Sequence, residues 1–349
     1  MLKRLDWSEY NYNRLVDLIE KYKSASEISK YNRNYIVSDW DNTSAMFDVE
    51  DAVFLYQLMN LEYRCDVESF KNILIKDIDS EEIDFINELT DEICIKFNFL
   101  MDLKNKLSID VIKKYSEYND FIAMMTYLYG EFSVSLSYRI QCYRILYLFQ
   151  GFSEKDLRRL ASDTIDYWMG QDLKEMSFSC IFNGMELKSS YNTGLRSVPE
   201  ITDLYSNLRK NNIDVYICSA SSKIVVEEFA TSEKYGYGCK KDDVAGLVLK
   251  KGDDGKYISE IDTSYIQTFL EGKAEYIDSL KSLYKKSPIL TMGDSSGDYY
   301  LLTYKRIVNG IIFNRKTSGN INELKEESQI KDSIYLLQNR DTVKGCLRE

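Results

Sequence analysis

The sequence predicts an α/β fold, a mostly parallel sheet interrupted by a long helical insertion, and three observations carry that expectation. Two apolar runs, Tyr35-Ile36-Val37 and Pro288-Ile289-Leu290-Thr291-Met292, each lead straight into an acidic loop, Asp39-Trp40-Asp41-Asn42-Thr43 and Gly293-Asp294-Ser295-Ser296-Gly297-Asp298. A parallel strand buried on both faces reads as an apolar run, and open α/β sheets gather their ligands beyond the carboxyl ends of such strands. The third observation is where glycine and proline fall. No glycine precedes Gly130, the only prolines are Pro199 and Pro288, and eleven of the sixteen glycines lie after residue 195. The stretch from about 46 to 195 therefore reads as helical.

Taken in order, residues 8 to 30 are expected to form a helix packed beside the core, followed by the strand at Tyr35. In the helical stretch the apolar residues Val53, Phe54, Tyr56, Leu58 and Leu61, then Ile83, Ile86, Leu89, Ile93 and Phe97, recur at helical spacing, with polar breaks such as Asp77 to Ser80 between them. From Pro199 the pattern becomes that of an α/β unit. A proline-initiated helix over Pro199 to Asn211 precedes the strand Ile213 to Cys218, the loop Ser219-Ala220-Ser221-Ser222 and a helix over Ile224 to Phe229. A β-hairpin is expected from Val244 to Leu249 and Tyr257 to Ile261 around Gly252-Asp253-Asp254-Gly255, then a helix starting near Lys273 and a further strand over Ile307 to Phe313.

Composition removes whole classes of chemistry. None of the 349 residues is histidine, which excludes Ser-His-Asp and Cys-His hydrolases, phosphohistidine enzymes, histidine-ligated zinc hydrolases and facial-triad iron enzymes. With 45 basic against 56 acidic residues the net charge is −11, which repels nucleic acid and anionic membranes. Seven cysteines without a CxxC pair point to buried thiols in a reducing compartment. Without an apolar signal region at Met1 to Trp7 or a run of membrane-spanning length, the expectation is a soluble cytoplasmic protein.

Carboxylates gathered at strand ends repel one another unless a cation joins them, and a hard ion such as Mg²⁺ resolves that repulsion and holds a phosphate oxygen as well. In phosphoryl transfer without histidine an aspartate can attack phosphorus itself, and Asp39 is the candidate nucleophile. Asp41, two residues on, would protonate the departing alkoxide and later deprotonate water, with Thr43 orienting it. The structural alternative for this motif is an N-cap for a helix near Val49. Ser219 and the backbone N–H groups about Ala220 would receive phosphoryl oxygens at a helix N-terminus, unless Ser219 is a plain cap. Lys273 would offset phosphate and carboxylates together, and Asp294 and Asp298 would face the metal from one tight loop, unless that loop is an ordinary turn.

The set Asp39-x-Asp41-x-Thr43, Ser219, Lys273 and Gly293-Asp294-x-x-Gly297-Asp298 resembles the four motifs of the haloacid dehalogenase superfamily, specifically its phosphatases. The resemblance implies a Rossmann-like core over 1–45 and 196–349 and a helical cap over 46–195. It also implies Mg²⁺ bound by Asp39, the Asp41 backbone carbonyl and Asp294, with Asp298 directly or through water. The neighbourhoods of these motifs look most like the branch of phosphorylcholine phosphatase and phosphoserine phosphatase. The expected function is a Mg²⁺-dependent hydrolase of a small phosphate monoester. A phosphotransferase of the same fold, or a non-catalytic binding protein that keeps it, are the alternatives. A choline head would be held by aromatic faces, and Tyr127, Tyr129, Tyr167 and Trp168 either contribute to such a cage or pack the cap. Arg196, at the return to the core, either reaches a substrate anion or makes a surface salt bridge.

Overall fold

The computed structural model describes residues 1–25, 27–78 and 83–349. Helix α1 (Glu9–Tyr22) starts where the Ser8 hydroxyl accepts the Asn11 N–H. It stops well short of residue 30, because serines compete for helical backbone bonds and Ser24 N–H donates to Asn211 O instead. Ser26, in the remainder of that expected helix, lies outside the described residues.

Strand β1 (Asn34–Ser38) is followed by β2 (Ala45–Met46) and then by a run of helices: α2 (Val49–Asn60), α3 (Val67–Leu74), α4 (Ile83–Lys104), α5 (Ile109–Ile112), α6 (Ser116–Ser135), α7 (Tyr138–Tyr147) and α8 (Glu154–Met169). Asp48 caps α2 by accepting the Glu50 and Asp51 N–H groups, and Asp66 and Ser153 cap α3 and α8 likewise. Of the expected polar break, Asp79 and Ser80 lie outside the described residues. The stretch is not helical throughout. Strands β3 (Lys174–Phe182) and β4 (Met185–Thr193) form an antiparallel hairpin turned at Asn183-Gly184, both with positive φ. An Asn-Gly pair between alternating residues is a strong hairpin signal, and it outweighs the scarcity of glycine elsewhere in this region.

The chain then returns through β5 (Arg196–Ser197), which pairs antiparallel with β2, so the outgoing and returning segments run side by side. The second half contains α9 (Pro199–Lys210), β6 (Ile213–Ser222), α10 (Lys223–Thr231), β7 (Val244–Leu247), β8 (Leu249–Lys251), β9 (Tyr257–Ile261), α11 (Glu271–Tyr284), β10 (Leu290–Gly293), α12 (Tyr299–Leu302), β11 (Asn309–Phe313), α13 (Ile321–Glu327), β12 (Tyr335–Asp341) and β13 (Cys346–Arg348). The expected hairpin is shorter than its sequence signal. Val244 to Leu247 leaves it to pair parallel with β6, burying Val244 and Leu247, and only β8 pairs with β9.

These elements build a mixed α/β protein around a seven-stranded sheet of order β13-β12-β11-β10-β1-β6-β7, parallel except at β13. Strand β1 is central, with Tyr35, Ile36 and Val37 fully buried, as a strand covered on both faces must be. Its neighbours β10 and β6 run parallel to it, Ser38 aligning with Met292 on one side and Ile217 on the other. Three carboxyl ends therefore open at one place. Among the described residues no helix is long and apolar enough to cross a membrane, and all seven cysteines are free thiols.

Candidate active site

Each of those three strands delivers a functional group. Asp39 follows β1, its N–H donating to Met292 O at 2.9 Å, Asp294 follows β10, and Ser219 lies on β6. Lys273 enters from the first turn of α11. Gly272 makes that turn possible, because a Cβ there would stand 1.6 Å from the Gln267 carbonyl oxygen. The Lys273 ammonium, only 2% exposed, donates to Asp39 Oδ1 at 2.6 Å and to Asp298 Oδ1 at 2.5 Å. Asp298 Oδ2 in turn accepts the Asp294 and Ser295 N–H groups, which closes the loop on itself.

The structure brings Asp39, Asp294 and Asp298 together. One carboxylate oxygen from each lies within 4.8 Å of the others, and all three residues are buried. The Asp41 side chain is not in that group. Its Oδ1 accepts the Val49 N–H at 2.8 Å, and its Oδ2 accepts Ser221 Oγ at 2.6 Å and Ser219 Oγ at 3.3 Å. The helix-capping alternative for this motif is thus partly realised alongside its position at the site. Thr43 sits elsewhere than expected, its hydroxyl donating to Asp294 Oδ1 at 3.3 Å rather than orienting Asp41. Ala220 lies on the wall of the same cavity.

Crowding of like charges out of water dominates the electrostatics. Burial pushes the Asp39 carboxyl up to about 8, and the Asp298 and Asp294 charges add to the shift against the opposing pull of Lys273. Asp294 is raised to about 6 by burial and by Asp298, with Arg315 opposing. Burial also raises Asp41 well above the usual carboxylate range, with Asp48 and Asp39 adding to it. Burial opposes the charge on Lys273, but the carboxylates of Asp298 and Asp39 outweigh it and raise its proton affinity well above the ordinary value. The donor set is all oxygen, buried and repulsive, so it fits a hard divalent cation: Asp39, Asp294 and Asp298 would supply carboxylates.

Around this centre is a cavity of about 630 Å³. Part of its lining comes from the segment between β2 and β5, including Tyr127, Tyr129, Tyr138, Arg144, Lys188 and Tyr191, and Asp39 lines it too. Tyr127 and Tyr129 thus face the cavity. Tyr167 and Trp168 do not: Tyr167 packs on Tyr56, and Trp168 donates its indole N–H to Ala52 O. Arg196 serves neither use expected of it, since its guanidinium donates to the Leu195 and Met169 carbonyl oxygens.

Several site residues escape a reading of motifs. Ser221 is one, although its period-two spacing from Ser219 on a strand was a usable signal. Thr268 donates to the Ser219 carbonyl oxygen at 2.5 Å, and Arg315 donates to Asp294 Oδ2 at 2.8 Å. Glu50 accepts the Ser222 N–H at 2.6 Å and so ties α2 to the end of β6. No local pattern marks Thr268, Arg315 or Glu50 beforehand.

Fold and site together define a Rossmann-like α/β protein with an acidic, cation-competent centre at the carboxyl edge of its sheet. No protein-family model matches the chain. Phosphorylcholine phosphatase of Pseudomonas aeruginosa is 23% identical over 301 residues, covering 79% of this chain and 73% of that protein. A conserved protein of unknown function from Anaerococcus prevotii superposes with a TM-score of 0.90 at 26% identity, covering 99% of this chain and 96% of that one. A substrate-bound phosphoserine phosphatase aligns over 84% of this chain, at 10% identity and a TM-score of 0.39, too loosely to argue from. In its sheet, its acidic centre and its likeness to a phosphorylcholine phosphatase, the chain resembles the phosphatases of the haloacid dehalogenase superfamily.

Proposed function

We propose that the protein is a Mg²⁺-dependent phosphomonoester hydrolase acting through an aspartyl-phosphate, with residues 46–195 as a cap over a core of 1–45 and 196–349. The observation that carries this reading is the pairing of Asp39, held by Lys273, with a separate Asp41 fixed by Ser221. A carboxylate of Asp39 attacks phosphorus, the new O–P bond forming as the bond to the leaving oxygen breaks. Asp41 gives that oxygen its proton. Its raised affinity for a proton suits the task, and once ionised it takes a proton from the water that cleaves the aspartyl-phosphate. Ser219 and the N–H groups about Ala220 receive phosphoryl oxygens, and Lys273 balances their charge. Asp39, Asp294 and Asp298, with the Asp41 carbonyl, would hold Mg²⁺, which would supply positive charge favouring ionised Asp39 and offsetting the phosphoryl oxygens. Thr43 holds Asp294 in its orientation.

The wall of the cavity favours a cationic leaving group. Eight carboxyl groups and four cationic side chains line it among the described residues, an acidic excess that burial tempers by holding protons on Asp41, Glu50 and Asp51. A divalent ion and a phosphate dianion cancel, so the rest of the substrate meets a wall with no excess of cations. The tyrosine faces of the cap wall suit an ammonium group such as that of phosphorylcholine. A phosphoserine-like ester, which adds a carboxylate, is the second choice, with Arg144 and Lys188 on the same wall in its favour. The test is phosphate release from p-nitrophenyl phosphate, phosphorylcholine, phosphoserine and glycerol phosphate, with Mg²⁺ and with chelator. Hydrolysis that needs Mg²⁺ and prefers phosphorylcholine is expected. Binding without release, or transfer to an acceptor other than water, would replace this reading with the binding-protein or phosphotransferase alternative.

A further inference from the structure

Helix α7 begins with Tyr138 against the loop that carries Asp294 and Asp298. A methyl group on Gly297 would stand 2.5 Å from the Tyr138 hydroxyl oxygen, whereas the next atoms, Tyr138 Cζ and Ser295 Oγ, are both 3.4 Å away. The backbone at Gly297 does not lie in the left-handed region, so its conformation does not call for glycine there. The tyrosine hydroxyl does. The same helix reaches a second loop, where the Tyr143 ring lies 5.7 Å from that of Phe269 and its hydroxyl donates to Gln267 Oε1 at 3.2 Å. The Tyr138 ring also meets Phe269 edge to face, at 6.4 Å. Thr268, between these contacts, holds the Ser219 carbonyl, and the loop runs directly into the helix of Lys273. Helix α7 therefore rests on both loops that deliver Lys273, Asp294 and Asp298.

We propose that Tyr138 is the positioning residue that seats the 46–195 segment over the site, and that Gly297 is the socket for its hydroxyl. The tyrosine orders the 294–298 loop and the 267–270 loop from one helix, so closure and assembly of the site become one event. Its kinetic consequence rests on the hydrolase reading; the docking itself does not. Filling the socket with one methyl group expels the hydroxyl, and removing the hydroxyl makes room for the methyl, since the remaining 3.4 Å contacts are ordinary.

Gly297→Ala, Tyr138→Phe and the double variant, each in the full chain, separate this from a local effect on the loop. Amide hydrogen exchange over 138–147 and 267–273 reads docking without reference to activity. Gly297→Ala is expected to speed exchange in both segments by about tenfold. Tyr138→Phe, which keeps the ring against Phe269 and loses only the seated hydroxyl, should speed exchange by about threefold, and the double variant should return from the level of Gly297→Ala to that of Tyr138→Phe. Kinetics with p-nitrophenyl phosphate should follow, with KM raised more than kcat is lowered in Gly297→Ala and brought back to the level of Tyr138→Phe in the double variant. Unchanged exchange in Gly297→Ala, or a double variant as loose as Gly297→Ala, would overturn the assignment. Phosphatase inactivity of the parent with Mg²⁺ would remove the hydrolase reading and leave the exchange data to decide the docking.

Discussion

Ser221 donates its hydroxyl to Asp41 Oδ2 over 2.6 Å, while Ser219, two residues earlier on β6, reaches the same oxygen only at 3.3 Å. Alternate residues of a strand share a face, so the two hydroxyls converge on one carboxylate, and the closer one fixes it. Ser221→Ala should therefore lower kcat roughly tenfold, the scale of one hydrogen bond to a charged group, with KM within about twofold of the parent. Ser219→Ala should act more on KM, because that hydroxyl remains closer to the phosphate's place. Steady-state kinetics of both variants make the comparison, and a kcat untouched by Ser221→Ala would remove Ser221 from the acid-base machinery.

Asp39→Asn should abolish turnover, since an amide does not attack phosphorus as a carboxylate does. The same substitution should stabilise the metal-free protein. Asp39 loses more from burial and from the Asp298 and Asp294 charges than it gains from Lys273, as its raised proton affinity requires. Lys273 keeps Asp298 as a partner in the variant. A thermal midpoint higher by about 2 °C or more, measured in chelator, is the expected outcome. Residual activity near that of the parent would sink the nucleophile assignment, and a lower midpoint would mean that the ion pair outweighs the repulsion.

Much of this arrangement was legible in the sequence, for a physical reason. Buried parallel strands are apolar along their whole length, so Tyr35-Ile36-Val37 and Ile289 to Met292 marked their own ends, and with them the places of Asp39 and Asp294. Lys273 was marked by its glycine and helix start, and the set was readable only together. What escaped depended on contacts distant in sequence. Arg315 meets Asp294 across 21 residues, and Glu50 meets Ser222 across 172, with no periodicity to announce either. Strand β12 begins with an apolar run of its own, Tyr335-Leu336-Leu337, but its remaining residues, Gln338 to Asp341, are polar and hide the strand's end. The hairpin at Asn183-Gly184 was announced by its turn, but scarce glycine over the larger region drew the reading towards helix.

The buried carboxylates give the metal-free protein a definite pH dependence. Asp39 is raised to about 8 and Asp294 to about 6, against an ordinary carboxylate value of about 4 in the unfolded chain. Between those values the folded state holds more protons than the unfolded one, so stability falls as pH rises. The contribution is fully present below about pH 4 and is lost progressively as pH rises through about 6 and then about 8. Denaturant unfolding in chelator at pH 5, 6.5 and 8 should show the decline. Added Mg²⁺ should flatten it, raise the midpoint at pH 8 and restore activity lost to chelator, whereas Ca²⁺, with longer and looser coordination, should stabilise without supporting turnover. A flat profile in chelator would show that the carboxylates are not mutually repulsive.

The division of the cavity between its two walls makes the last prediction. Tyr129 and Tyr191 belong to the segment between β2 and β5 and line the cavity without a bond to the carboxylates, whereas the Lys273 ammonium lies within the carboxylate group. Substitutions on the first wall should change how the leaving group is held, and substitution at the second should change the stabilisation of phosphoryl charge that every substrate shares. Tyr191→Ala is expected to change the ratio of kcat/KM between phosphorylcholine and p-nitrophenyl phosphate by roughly fivefold or more, the scale of one lost cation–π contact. Lys273→Ala should depress both substrates alike, by a factor on the order of a hundred or more. Because that lysine is a buried cation bridging two carboxylates, circular dichroism and thermal melting must first establish that Lys273→Ala folds, and Lys273→Arg provides a charged variant if it does not. Equal losses on both substrates from Tyr191→Ala would mean that the cap wall does not read the leaving group. A substrate-dependent loss from Lys273→Ala or Lys273→Arg would mean that the lysine does.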